Sequence, residues 1–189
     1  MDSRAEALPA TGIPTGKLGV WWFLTSEITT FGGLIACYIL VRLGSTGWSE
    51  ASAHLSVSLA LINTLVLLTS SMTMVMSFAA VEEGNPRKLR TFLLLTILLG
   101  LGFLGIKAVE YTREITEGFT PGAGIFWSFY YGMTGLHALH VLGGVVVNFI
   151  LLLTVVGGEQ HQHRVEFAGL YWHFVDVVWI FLFPLLYLS

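Results

Sequence analysis

Residues 91–106 read Thr91-Phe-Leu-Leu-Leu-Thr-Ile-Leu-Leu-Gly100-Leu-Gly-Phe-Leu-Gly-Ile106, a run without one charged side chain. A helix crossing a bilayer core needs about 20 mostly apolar residues, because backbone groups in hydrocarbon must bond internally. Followed outward, this run becomes an apolar stretch over roughly 89–114. Four more stretches of similar character lie at roughly 17–41, 57–81, 125–156 and 167–188. They are too long for strands and lack alternation at period 2. The expected fold is all-α, a polytopic membrane protein with five transmembrane helices. Residues 1–16 read as a retained polar tail, since they lack the apolar core of a secretory signal. Residues 17–189 read as a single five-helix domain, with no Pro- or Ser-rich linker.

Composition agrees. Hydrophobic residues make up 54% of the 189 positions and charged residues 11%. A soluble domain carries about a quarter charged residues, so that class is excluded. The net charge of −3 gives no reason to expect nucleic acid, and the single cysteine, Cys37, excludes an internal disulfide or a Cys-rich metal site.

Basic residues near helix ends set orientation. Arg4, Lys17, Arg87, Lys88, Arg90 and Arg164 would share one side, whereas Arg42 and Arg113 fall on the other. The N-terminus is therefore expected in the cytoplasm and the C-terminus in the periplasm. Small residues recur at Gly32-Gly33, Gly100-x-Gly102-x-x-Gly105 and Gly143-Gly144, which suits close helix packing.

Ionisable side chains at depth are the informative positions, because each is costly in hydrocarbon. Glu27 lies about ten residues past Lys17, or roughly 15 Å into the bilayer at 1.5 Å per residue. Such a carboxyl either holds its proton or finds a partner on another helix. It reads as an interface carboxyl, with proton exchange as the alternative. Lys107, Glu110, Arg113 and Glu114 are spaced to pair along one helix face and read as a solvated or subunit-facing end. His137 and His140, three apart, are expected to be packed and hydrogen-bonded, since two imidazoles alone are a weak metal or haem signal. His173 is placed about one turn from the cytoplasmic boundary, with Asp176 as its neighbour. Trp172, His173 and Trp179 are the donors expected to satisfy Asp176. His161 and His163 are expected in solvent. No nucleophile with a positioned base and no phosphate-cradling loop is present, so no catalytic residue is assigned.

Four segments carry a resemblance. They are Trp22-Phe-Leu-Thr-Ser-Glu27-Ile-Thr-Thr-Phe31, Glu110-Tyr111, Thr134-Gly-Leu-His137-Ala-Leu-His140-Val-Leu-Gly-Gly144, and Glu166 with Tyr171-Trp-His173-Phe-Val-Asp176-Val-Val-Trp-Ile-Phe-Leu-Phe183. In this order, over almost the whole chain, they resemble subunit III of the haem–copper oxidases, in particular the bacterial cytochrome c oxidase form.

The resemblance implies a non-catalytic subunit that holds no haem, copper or other cofactor of its own. Haems and copper would lie in partner subunits I and II. The complex would reduce oxygen to water with electrons from cytochrome c and pump protons across a bacterial cytoplasmic (inner) membrane. Subunit I would be the main partner, with subunit II and small subunits nearby, and this chain would support lipid binding and proton uptake. Bound phospholipid is the one small molecule implied. Glu27 matches the family's carbodiimide-reactive carboxyl. Glu27, Glu110, His137, His140, Glu166, His173 and Asp176 become candidates for buried polar, lipid or subunit contacts. Larger members have seven helices, of which this chain carries the last five, and Lys107 stands where many members have Gln. A quinol oxidase subunit III or a nitric oxide reductase-associated homologue would share these motifs. A small independent transporter or proton channel is the alternative of another class.

Overall fold

The computed structural model describes residues 15–45, 47–158 and 162–188. These form six helices: α1 (Thr15–Leu43), α2 (Trp48–Ser52), α3 (Val57–Glu82), α4 (Pro86–Thr116), α5 (Ile125–Val156) and α6 (Gln162–Tyr187). All but the short α2 are long and apolar enough to cross a membrane, and no strand occurs among the described residues. The protein is a multi-pass membrane protein. The tail expected over residues 1–16 lies outside the described residues, except for its last two positions, which open α1.

Caps explain where the helices begin and end. Ser56 caps α3 by accepting from the Leu59 N–H at 3.4 Å, and Asn85 caps α4 by accepting from the Lys88 N–H at 3.1 Å. Pro86 then takes the first helical position, where a missing N–H costs nothing. That cap starts α4 at Pro86 rather than near 89, because Arg87, Lys88 and Arg90 are helical without being apolar. For the same reason α6 starts at Gln162 rather than near 167. Helix α3 ends at Glu82, and Gly84 just beyond it turns the chain with a left-handed φ of 65°. The Gly84 N–H then reaches the Val81 carbonyl and the Asn85 N–H that of Ala80, closing the turn into α4.

Helix α3 packs on α4 and α6, and α5 packs on α4 and α6, so these four close a ring. Trp172 of α6 fills its centre. A Cβ added at Gly144 would lie 2.7 Å from the Trp172 ring, and one at Gly100 2.8 Å from it. These two glycines are thus where close approach is required. Gly32, Gly33 and Gly105 meet nothing within 4 Å, so packing inside this chain does not account for them. Inside the ring, Trp172 Nε1 donates to Ser70 Oγ at 3.0 Å and Trp179 Nε1 to Thr64 Oγ1 at 2.9 Å.

Helix α1 stands outside the ring, against α6 and α5. Only 17% of its apolar window is buried, against 33–39% in the other four. At one end it is pinned by Tyr38, whose hydroxyl donates to the Leu185 carbonyl at 2.6 Å and accepts from Trp48 Nε1 at 2.9 Å. Helix α2 is the element that the apolar pattern does not reveal. Its role is to carry Trp48 into this contact.

Candidate functional site

Among the described residues, the candidate side chains gather in three polar groupings. The first joins α1 to α5. Glu27 Oε2 lies 2.9 Å from His140 Nε2, and His140 Nδ1 lies 2.8 Å from the Leu136 carbonyl. A carbonyl only accepts, so Nδ1 carries a hydrogen. The Glu27–His140 contact is therefore made through Nε2, as one hydrogen bond between the carboxyl oxygen and the ring. The Phe31 ring stands edge-on to His140, with centroids 5.2 Å apart. The partner that the depth of Glu27 demands is thus supplied by α5.

The second grouping lies inside the ring. Lys107 Nζ donates to Glu110 Oε2 at 3.0 Å, to Tyr130 OH at 3.2 Å and to Tyr187 OH. Tyr130 and Tyr187 in turn donate to Glu110 Oε1 at 3.0 and 2.6 Å. All three ammonium hydrogens and both carboxylate oxygens are engaged. The rings of Tyr111, Tyr130, Trp179 and Tyr187 surround Nζ at 4.8 to 5.3 Å, a favourable face for a desolvated cation. The expectation of a solvated charge ladder fails here. Lys107, Glu110 and Glu114 are buried, because spacings of three and four turn them together towards α5 and α6. Only Arg113, one position around the helix, points outward, where it pairs with Glu117 at 3.0 Å.

His137 belongs to the same interior but not to the network. It is fully buried between Trp179 (centroids 5.1 Å apart) and Phe103 (5.5 Å), and neither ring nitrogen has a hydrogen-bond partner. It is packed, as expected, but not hydrogen-bonded. His137 and His140 do not act as a pair, since His140 turns to α1 and His137 to the ring.

The third grouping runs along α6. Glu166 pairs with Lys17 at 2.9 Å and lies 3.5 Å from His163, whose side chain is exposed. His161 lies outside the described residues. His173 stands about three turns into α6, which starts at Gln162. Its Nδ1 lies 2.6 Å from Ser71 Oγ on α3, so Asp176 is not its partner. Trp172 and Trp179 also bond elsewhere. Asp176 is buried with neither carboxyl oxygen hydrogen-bonded, and the expected local donors do not reach it.

An apolar cavity of about 530 Å³ opens between α1, α5 and α6, lined by Val20, Phe23, Val147, Phe167 and Tyr171, with Arg164 among its walls. Apolar walls with one guanidinium suit an acyl chain bearing an anionic head. Among the described residues no three His, Cys, Asp or Glu side chains converge to hold a metal ion. Tyr130, Tyr187, Ser71 and Tyr38, with the acceptors Ser70 and Thr64, are polar residues that the sequence reading misses. Tyrosines near helix ends read as interfacial anchors, and nothing in their own segments tells of the groups they meet.

Residues 10–189 match the family model described as Cytochrome c oxidase subunit III. The cytochrome c oxidase subunit 3 of Corynebacterium diphtheriae is 37% identical over 90% of this chain and 86% of its own length. A probable quinol oxidase subunit 3 from Staphylococcus haemolyticus is 34% identical over 91% of this chain and 88% of its own. A haem–copper oxidase subunit I+III from Aeropyrum pernix is 32% identical over 97% of this chain and 24% of its own length.

Proposed function

Because this chain belongs to the cytochrome c oxidase subunit III family, we propose that it is the non-catalytic subunit III of a bacterial respiratory oxidase. It lies in the cytoplasmic membrane with its N-terminus inside, beside a subunit I that carries haem and copper and a subunit II. The complex reduces oxygen to water and moves protons, and this chain stabilises subunit I and supports lipid binding and proton uptake. The observation that carries this reading is the match over residues 10–189. The fused Aeropyrum relative supports subunit I as the main partner, since its name joins subunits I and III in one polypeptide. The cavity beside Arg164 supports a bound phospholipid.

The donor has two readings, because relatives named for cytochrome c oxidase and for quinol oxidase lie at similar identity. Cytochrome c is the first and quinol the second. Purification of the tagged chain in mild detergent is expected to bring haem-bearing subunit I and subunit II with it, and their absence overturns the proposal. Oxygen consumption with reduced cytochrome c or with quinol then separates the donors, and a dinuclear copper site in subunit II marks the first.

A further inference from the structure

A groove of about 260 Å³ lies between α3 and α6, with Met74, Val75, Phe78 and Leu170 in its walls. Two ionisable side chains, Glu166 and His173, also line it. Glu166 is held by Lys17 at 2.9 Å, beside the exposed His163, and so marks the end of the groove nearest water. His173 lies seven residues further along α6, about 10 Å deeper at 1.5 Å per residue. Its Nδ1 is engaged by Ser71 Oγ at 2.6 Å, whereas its Nε2 has no hydrogen-bond partner among the described residues.

Few occupants satisfy both the walls and the imidazole. A ring nitrogen without a partner at this depth is costly, because it has lost water and gained no other hydrogen bond. Water is a poor remedy, since apolar cavities stay dry. A phospholipid covers the walls with an acyl chain, but its ester oxygens stay in the interfacial layer, short of His173. What fits is a small apolar ring that dissolves in the membrane and carries an oxygen on its edge. Gly169 keeps the α6 wall open to such a ring, since a Cβ there would meet only Met74, at 3.7 Å.

We propose that the α3–α6 groove binds the ring of a membrane quinone or quinol, with His173 Nε2 on a ring oxygen. A neutral imidazole carries one hydrogen and one lone pair, and a serine hydroxyl both donates and accepts. For a quinone, the Ser71 hydroxyl donates to Nδ1 and the Nε2 hydrogen is donated to the ring carbonyl. For a quinol, the ring hydroxyl donates to Nε2 and the Nδ1 hydrogen is donated to Ser71 Oγ. The same pair therefore holds both redox forms without burying a charge. The groove is a binding site only, and no electron moves within it. It is made of this chain's residues, so it stands whether the complex takes electrons from cytochrome c or from quinol.

An azido-substituted short-chain ubiquinone, irradiated with the purified protein in whatever assembly it elutes, tests this. Label is expected in the peptides carrying residues 74–78 and 165–173. Unlabelled short-chain ubiquinone is expected to compete it away, and added phospholipid is not. His173→Leu should weaken binding about tenfold, the scale of one hydrogen bond made in an apolar site. His173→Gln, whose amide both donates and accepts, should restore most of it. Leu170→Trp, which fills the groove and leaves His173 in place, should abolish the labelling. Label confined to partner subunits overturns the proposal. So does equal displacement by phospholipid, which makes the occupant an acyl chain, and so does wild-type affinity in His173→Leu.

Discussion

The α3–α6 ring and the outlying α1 each contain one intramembrane acid–base pair, in opposite surroundings. Lys107 and Glu110 leave 3% and 2% of their side chains exposed, and every donor and acceptor is used. Glu27 and His140 leave 17% and 16% exposed, and one shared hydrogen bond is the only side-chain link between them. The ring pair is a closed network tying α4, α5 and α6. The α1 pair is a latch on a helix that has little other packing. Burial makes removal of one ring partner costly, whereas partial exposure lets the latch fail gently.

The largest effect is expected from Lys107→Met, which strands Glu110 in the ring without its cation. Breaking a buried pair costs about 3–5 kcal/mol, read as a lower thermal transition of the detergent-purified protein. The double variant Lys107→Met with Glu110→Leu should recover much of that loss. If it does not, the tyrosine hydroxyls rather than the charges hold the ring.

Next comes Gly144→Ala, whose methyl would press on the Trp172 ring at 2.7 Å. Overpacking of this kind costs about 1–3 kcal/mol. The same change at Gly33, which meets nothing within 4 Å, should be neutral in the isolated chain. Loss of assembly at Gly33 alone would reveal a neighbour seated on α1.

The latch is expected to respond less. A glutamine at position 27 can donate its amide hydrogen to His140 Nε2, so Glu27→Gln should preserve assembly and initial oxygen reduction. Glu27→Ala removes the link, at a scale of about 0.6 kcal/mol for an interhelical hydrogen bond in a membrane, and should weaken subunit or lipid retention in detergent washes. Equal, immediate loss of turnover in both would make Glu27 an obligatory proton carrier instead.

Smallest is Lys17→Ala. Its pair with Glu166 is about a third exposed, and such pairs contribute about 0–1 kcal/mol. A thermal transition indistinguishable from wild type is expected at high salt.

Legibility in the sequence followed the range of each interaction. The apolar run at 91–106 announces a crossing by itself, since burial in lipid depends on length and composition. The Lys107–Glu110 contact was readable as a spacing of three, but its burial was not, because the spacing is identical on a solvated helix. Glu27 showed that it needed a partner without naming His140, which lies 113 positions away. For Asp176 the local rule misled. Trp172, His173 and Trp179 sit at the right spacings, but Trp172 and Trp179 donate to Ser70 and Thr64 on α3, and His173 pairs with Ser71 there.

What the sequence determined alone is the solvent of this protein and the number of times it crosses it, together with the family likeness of its polar islands. Those follow from local composition, because a helix in hydrocarbon satisfies its own backbone. The tertiary structure decided which charges are sealed in the ring, which one latches α1, and which carboxyl is left without a donor. Such outcomes depend on what the neighbouring helix presents at the same depth, and a single helix does not encode the face of its neighbour.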